Sequence, residues 1–592
     1  QTGLSLIEAK EVSRIIQDYL KKNTRLKIPT LLSEECPHGH QALDSLTTPT
    51  NFLVAVSWNP NLYQKVQTIV AEELAEKGAH MGLISTLDVL RDPRWGRSEE
   101  CFSEDPLLTS AFTKAAVRGL QGENKVKAVL KHLAGQGNVM GGHNSAPVNI
   151  GERELREIHL PAVLVGAEEN AGAMMAAYND IDGVFCHVNN HLLQEILRDE
   201  FHFKGAIMAD GCALDRVADI CGDKIEAASV ALKAGVDISL WDQVYPHLEE
   251  AVFCGQLEEE VLDQAVLRVL KIKEELGLLD DTKLFEGQVS QQEKEKTAIQ
   301  MAQDSLVLLK NNGMLPLNEQ KLSKIAVIGP HGDNAYHQLG GYTPYKDLSK
   351  CVNVWEGIKN HVGENVEVVY TPGSMITKKI NDGITRAKEI AQDADVIIVT
   401  VGGASSRDFS TEFDKNGAAL SNSAEMTSGE NIDLANLELP DCQIQLIKEL
   451  RKTGKPIVAV LIEGRPHSLD LIQEEVDAIL FAGYPGQFGG KAIANVLLGD
   501  NPNGRLAFSI PESSGHLPVY YNYRDTLFME KYADCKKNTS YDFGFGLSYT
   551  SFSFMVKEIR QEEDIQIDYE LKNEGEISGA EVIQVFVHKY QG

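Results

Sequence analysis

The chain has 592 residues, a length that at ~150 residues per domain predicts several cores rather than one. Hydrophobic residues make up 43% and charged residues 24%, an ordinary globular composition that excludes a disordered or fibrous chain. The 86 acidic against 56 basic residues give a formal charge of −30, a field that sets aside nucleic acid and anionic membrane as partners and favours a neutral small molecule.

The chain opens on GLSLIEAKEVSRIIQDYLKKN (3–23), which reads as a helix. From 27 to 241 short apolar runs end in polar residues and alternate with helical stretches. The runs are KIPTLLSEE (27–35), NFLVAVSWN (51–59), MGLISTLDV (81–89), VKAVLKHLA (126–134), AMMAAYND (173–180), GAIMADG (205–211) and VDISLW (236–241). Continuous apolar runs with intervening helices predict a buried parallel sheet. Seven units in this span predict an α/β fold of the (β/α)8, TIM-like barrel type over residues 1–280. A barrel carries its active site at the C-terminal ends of its strands. Those ends hold Glu35, Asp88, Lys131, His132, Tyr178, Asn179 and Asp210. Only seven strands are visible, and a barrel cannot close on a missing one without exposing edges. The expectation is therefore a chain that lacks its first barrel strand.

An amphipathic helix, VLDQAVLRVLKIKEELGLLD (261–280), ends this region, and 281–300 reads as a charged linker. Residues 301–515 follow as a doubly wound α/β sandwich domain. Its strand candidates are KIAVIGP (324–330), VEVVYTPG (366–373), DVIIVTVGG (395–403), PIVAVLIEG (456–464) and AILFAGYPG (478–486). A polar segment from Ala404 to Pro440 exceeds the ~15 residues at which loops are usually functional. A connecting segment spans 516–550. From 551 to 592 the sequence alternates in FSFMVKEI, DIQIDYELKN and EVIQVFVHKY, the period of a β-sandwich, and stops before a whole one could form.

The nine cysteines are scattered and include no CxxC pair. Free thiols are expected, which favours a cytoplasmic compartment, though residue 1 is Gln and leaves the question of a signal peptide open. No apolar run reaches the ~18 residues of a membrane helix. ECPHGH (35–40) places His38 and His40 in an HxH pattern, but without a further ligand at useful spacing, so no metal is expected. GxGxxG is absent, so no cofactor is expected either.

Asp210, after four apolar residues and before Gly211, is either a carboxylate open to substrate or a helix cap. Lys131 and His132 can donate to sugar hydroxyls and hold a carboxylate ionised, or be a surface Lys beside a core His. Arg97, in RDPRWGRSEECFSEDP (91–106), can clamp vicinal hydroxyls with its planar fork or belong to a salt-bridge network. Glu430, in TSGEN, is a loop acid that could swing over the barrel mouth.

Together these segments resemble glycoside hydrolase family 3 over nearly the whole chain. The resemblance is carried by EECPHGH (34–40), LDVLRDPRWGRSEECFSEDP (87–106), KHLA (131–134), NSAPVNIGERELREIHLPAV (144–163), AAYNDIDGV (176–184) and KGAIMADG (204–211). SLVLLKNNGMLPL (305–317), IAVIGP (325–330), EGRP (463–466), NPNGRLAFSIP (501–511) and YDFGFGLSYTSF (541–552) extend it. It implies a retaining exo-β-glycosidase acting on small β-linked oligosaccharides or aryl and alkyl glycosides, with a homodimer left open. Asp210 matches the family nucleophile and Glu430 the acid/base. Glu35, Arg97, Lys131, His132 and Tyr178 match the ligands of the terminal sugar. The last strands match a fibronectin-III-like domain.

The departures are specific. The family's SGEGYDR loop is SGENIDL (428–434) here, which makes Glu425 the alternate acid. Many relatives place Trp after the nucleophile where this chain has Gly211, which predicts a wider, less selective leaving-group site. KHLAGQG has Gln136 where the N-acetylglucosaminidase branch has His, which argues against that branch. Glu35 is one methylene longer than the Asp of many β-glucosidases and could crowd a hydroxymethyl group. β-Glucosidase is therefore the first expectation, β-xylosidase or mixed activity the second, and an inactive sugar-binding protein a remote third. Retention requires two carboxyls about 5–5.5 Å apart, one ionised and one protonated.

Overall fold

The computed structural model describes residues 3–122, 126–280, 285, 287–344, 346–405, 425–523, 532–535, 537–561 and 564–587. The opening helix spans Leu6–Asn23, with a capping box between Ser5 and Glu8. In the first region the strands β1 (Ser33–Glu35), β2 (Met81–Ser85), β3 (Lys127–Leu133), β4 (Ala173–Ala176) and β5 (Ala206–Met208) form one parallel sheet in sequential order. The crossovers are helical, as parallel pairing requires. Pro60–Glu76 is capped by Asn59, and Pro106–Gln121 by Asp105, whose Oδ1 accepts from the backbone N–H of Leu108 at 3.0 Å. In both helices Pro occupies a first-turn position, where its missing N–H costs nothing. Burial on both faces explains the continuous apolar runs: β2, β3, β4 and β5 are buried throughout.

Two of the seven expected strands fold otherwise. NFLVAVSWN is helical, over Asn51–Val54 and Ala55–Ser57. It is apolar on all sides because it lies between the two regions, with Phe52 stacked on Phe508 at 4.0 Å. A short run buried all round has no periodicity to tell helix from strand. VDISLW makes only a single bridge, Ile238 to Met208 of β5, although its backbone runs beside β5 through Ala209 N–H to Ile238 O and Cys212 N–H to Leu240 O.

The helix Glu259–Glu275 ends the first region. A further helix, Gln291–Asp304, takes up the second half of the expected linker. The second region is a six-stranded sheet built from β6 (Val307–Asn311), β7 (Lys324–Ile328), β8 (Glu367–Thr371), β9 (Val396–Gly402), β10 (Ile457–Ile462) and β11 (Ala478–Phe481). Its order is β8-β7-β9-β10-β11-β6, all parallel except β6. The five parallel strands coincide with the five sequence candidates. The antiparallel edge strand β6 was not anticipated as a strand.

A hairpin of β12 (Phe552–Gln561) and β13 (Ile565–Asn573) follows. Residues 581–587, expected as a third strand, are not in one; the rest of EVIQVFVHKY lies outside the described residues. All nine cysteines are free. No described helix is long and apolar enough to cross a membrane.

Candidate active site

The C-terminal edge of the first sheet gathers the polar residues that its alternation cannot place in the core. Lys131 and His132 are neighbours on β3, and regular alternation would send them to opposite faces. The register against β4 shifts between Lys131 and Leu133, and both side chains reach the same cluster. Such irregularities recur beside active sites because they re-aim a side chain.

Lys131 Nζ donates to both carboxylate oxygens of Glu35, at 2.8 and 3.1 Å, where β1 ends. Burial opposes the Lys131 charge, but the Glu35 and Glu100 carboxylates outweigh it and raise its pKa. Arg97 is fully buried and radiates four ways. It donates to Glu100 at 2.6 and 2.9 Å, to His132 Nε2 at 2.9 Å and to the Tyr342 hydroxyl at 3.2 Å, and it stands 3.5 Å from Glu430. His132 lies 2.7 Å from Asp88 through Nδ1. Burial, then Arg97 and Lys131, push its pKa well below the usual value, so the ring is neutral. A guanidinium can only donate, so Nε2 is the accepting nitrogen and Nδ1 carries the proton that goes to Asp88.

Asp210 is two residues past β5 and 9% exposed. Its Oδ1 accepts from the Gly211 N–H at 2.8 Å. Oδ2 is buried without a hydrogen-bond donor, 3.6 Å from His132 Nε2. Burial raises its pKa to about 6; Arg97 and Lys131 pull it down and Glu430 pushes it up. One oxygen is therefore held while the other faces the cluster. Tyr178, two residues past β4, donates its hydroxyl proton to Gly211 O at 2.8 Å.

Glu430 comes from the second region and is 7% exposed. Its loop is bound to the first region by backbone and side chain: Gly429 N–H to Gly96 O at 2.7 Å, Gly96 N–H to Asp433 Oδ1 at 2.7 Å and Leu434 N–H to Arg94 O at 3.0 Å. The approach is close enough that a Cβ on Gly96 would lie 2.2 Å from Gly429 O. Arg465, wholly buried, ties the two sides by donating to the carbonyls of Pro93, Arg94, Thr427 and Ile432 at 2.7–3.0 Å. Asn431 takes φ +63°, a left-handed conformation that glycine enters freely and asparagine more readily than most residues. Its Oδ1 accepts from Asn144 Nδ2 at 2.8 Å. Glu425 is elsewhere, accepting from Thr377 at 3.0 Å and 3.5 Å from Lys378. The preceding residues 406–424 lie outside the described residues.

All seven site residues anticipated from sequence thus meet in one cluster, with Tyr178 joining it through Gly211. His38 and His40 do not converge on a shared ligand: His38 bonds Gly341 O, and His40 lies 3.7 Å from Glu34. Five participants were not anticipated, the first being Glu100, which takes both bonds from Arg97. Tyr342 reaches Arg97 from a second-region loop, and its ring centroid lies 4.8 Å from Lys131 Nζ. His187 Nε2 accepts from the Asp210 N–H at 3.2 Å. Arg465 sits in the EGRP motif, where sequence gave it no stated role. Trp241 lies against Gly211: a Cβ there would come within 3.1 Å of its ring. The space beside Gly211, expected to be open, is walled by an indole.

Residues 4–272 match the family model described as the Glycosyl hydrolase family 3 N terminal domain, and 306–549 that of its C-terminal domain. Among curated proteins, a beta-xylosidase of Formosa agariphila is 33% identical, over 98% of this chain and 83% of its own length. A periplasmic beta-glucosidase of Salmonella typhimurium is 32% identical, over 97% and 79%. Among solved structures, a beta-glucosidase from Listeria innocua in complex with isofagomine aligns with a TM-score of 0.86 at 31% identity, over 96% of this chain and 80% of that one.

Proposed function

The chain belongs to glycoside hydrolase family 3, and from that premise we propose that it is a retaining, exo-acting β-glycosidase whose nucleophile is Asp210 and whose acid/base is Glu430. The first region is the TIM-like barrel of that architecture and 551–592 part of a fibronectin-III-like domain. The sequential parallel sheet with helical crossovers and the antiparallel β12–β13 hairpin support this reading.

The observation that carries the reading is the meeting of two buried carboxyls from different regions, Glu430 at 3.5 Å from Arg97 and Asp210 at 3.6 Å from the His132 that Arg97 bonds, with Asp210 Oδ2 left without a donor. A terminal sugar occupies the basin floored by Lys131, His132 and Arg97, with Glu35 as an acceptor for its hydroxyls. Asp210 Oδ2 attacks the anomeric carbon while Glu430 gives its proton to the departing oxygen. The product is a glycosyl ester on Asp210 and a free leaving-group alcohol. Glu430, now ionised, takes a proton from water; the resulting oxygen attacks the same carbon, expels Asp210 and releases the sugar with its β configuration retained. Tyr178, bonded to Gly211 O, fixes the main chain beside the nucleophile.

β-Glucoside hydrolysis is the first specificity. β-Xyloside hydrolysis follows closely, because Glu35 is held by two bonds from Lys131 and its extra methylene cannot easily fold away from a sugar's C5 substituent. One methylene is worth ~1–3 kcal/mol, so mixed activity is expected.

The test is Glu430→Ala on aryl β-glucosides and β-xylosides. Loss of turnover that azide restores, with the β-glycosyl azide as product, supports Glu430 as acid/base. Undiminished turnover in Glu430→Ala overturns it.

A further inference from the structure

Three of the four tryptophans are buried or partly buried and donate their indole N–H to Arg505 O, Asn144 Oδ1 and Val368 O. The fourth, Trp241, is 65% exposed. Its position is nonetheless fixed. The segment before it is pinned to β5, with Ala209 N–H bonding Ile238 O at 2.7 Å and Cys212 N–H bonding Leu240 O at 2.8 Å. Beyond it Asp242 closes a turn, accepting from Leu240 N–H at 3.2 Å and Val244 N–H at 3.0 Å. Trp241 itself has φ +62°, a left-handed conformation that is uncommon for a bulky side chain and costs ~1–2 kcal/mol. The fold therefore holds a large apolar ring in water, on an unfavourable backbone, beside the residue that follows Asp210. Exposed aromatics and local strain of this sort gather at binding sites.

The ring's neighbours say which part of a glycoside it meets. A Cβ on Gly211 would lie 3.1 Å from Trp241 Cε3 and 3.4 Å from the Tyr178 hydroxyl. Gly211 is thus the residue that lets the indole lie against the main chain next to the nucleophile. Arg97, Lys131 and His132 are buried, and in the reading above they floor the basin that takes the terminal sugar. The leaving group must project from that basin towards solvent, where Trp241 stands.

We propose that Trp241 is the platform for the leaving group, stacking against an aryl ring or the apolar face of a pyranose and determining which glycosides are cleaved fast. This rests on the β-glycosidase reading above. Trp241 contributes to the first chemical step through the leaving group and makes no contact with the terminal sugar.

The test compares wild type, Trp241→Ala and Trp241→Phe on an aryl β-glycoside, a β-linked disaccharide and a methyl β-glycoside of the same sugar, with inhibition by the free monosaccharide measured alongside. Trp241→Ala should lower kcat/KM on the aryl glycoside, the disaccharide or both by about 5- to 10-fold, and Trp241→Phe should recover most of the loss. The methyl glycoside and monosaccharide inhibition should stay within about 2-fold of wild type. The arm that loses more identifies an aryl or a sugar leaving group as the occupant. Unchanged turnover on both bulky substrates, or an equal loss on the methyl glycoside and monosaccharide, overturns the platform. Wild type inert towards all three substrates overturns the glycosidase reading, and the platform with it.

Discussion

Asp210 carries a pKa of about 6 because burial costs its charge more than Arg97 and Lys131 return. A nucleophile must be ionised, so kcat/KM should fall below about pH 6, and an acid limb near pH 4 would contradict the assignment. The same shift bears on stability. The folded value exceeds the unfolded one, so this contribution is complete below about pH 4 and lost as pH rises through about 6. At pH 8 the ionised carboxylate therefore destabilises the fold, and Asp210→Asn should raise stability by ~2–3 kcal/mol while abolishing turnover. Thermal unfolding at pH 8 checks the first part; a lower melting temperature for the variant would contradict it.

At the scale of elements, the important device is the loop that brings Glu430 to the first region. Arg465 bonds four carbonyls on both sides of that contact. A lysine at this position keeps the charge but not the fork. Arg465→Lys should lower stability by ~2–4 kcal/mol, since buried carbonyls lose their donors, and should reduce kcat through misplacement of Glu430. Asn431 offers a cleaner probe because it is a loop position with φ +63°. Asn431→Gly should be tolerated, and Asn431→Val should cost ~1–2 kcal/mol and lower kcat. Equal activities in the two variants would show that the left-handed turn is not needed.

How much of this was legible in sequence differs by element. The parallel strands of the second region were readable because they are apolar, β-branched and bounded by Gly or Pro. NFLVAVSWN has the same composition but serves the contact between regions, where a helix is as apolar all round as a buried strand. Asp210, Lys131 and His132 were legible from their place at strand ends. Tyr342 was not: it reaches the cluster from a second-region loop, and no local pattern marks a side chain that acts on a different domain. Trp241 was hidden for another reason. Gly211 pointed to an opening, and only the fold shows that a residue 30 positions on fills it.

For the molecule as a whole, the charge of −30 and the buried histidines act in opposite directions. Acidification relieves surface repulsion, but at 0.15 M salt exposed charges are screened over ~8 Å. Nine histidines are held below their usual pKa, chiefly by burial; His80, His337 and His467 fall to about 4 and His159 and His187 to about 3. Their neutral forms stabilise the fold fully above pH ~6.5, and that contribution is lost as pH falls towards 4. Asp88, Glu104, Asp210, Asp237, Asp304 and Glu463 have raised values and change in the opposite sense, but these six are fewer than the nine histidines. The melting temperature should therefore fall between pH 6.5 and 5 at that ionic strength; a rise would mean that surface repulsion dominates.

The central claim is that Asp210 forms the glycosyl ester. Incubating the protein with a 2-deoxy-2-fluoro β-glucoside or β-xyloside bearing a good leaving group, then mapping the modified peptide by mass spectrometry, tests it directly. The expected result is one fluoroglycosyl group per chain, on Asp210 in the peptide containing KGAIMADG. A label on Glu430, Glu425 or any other carboxyl would contradict the account, as would continued turnover with no label.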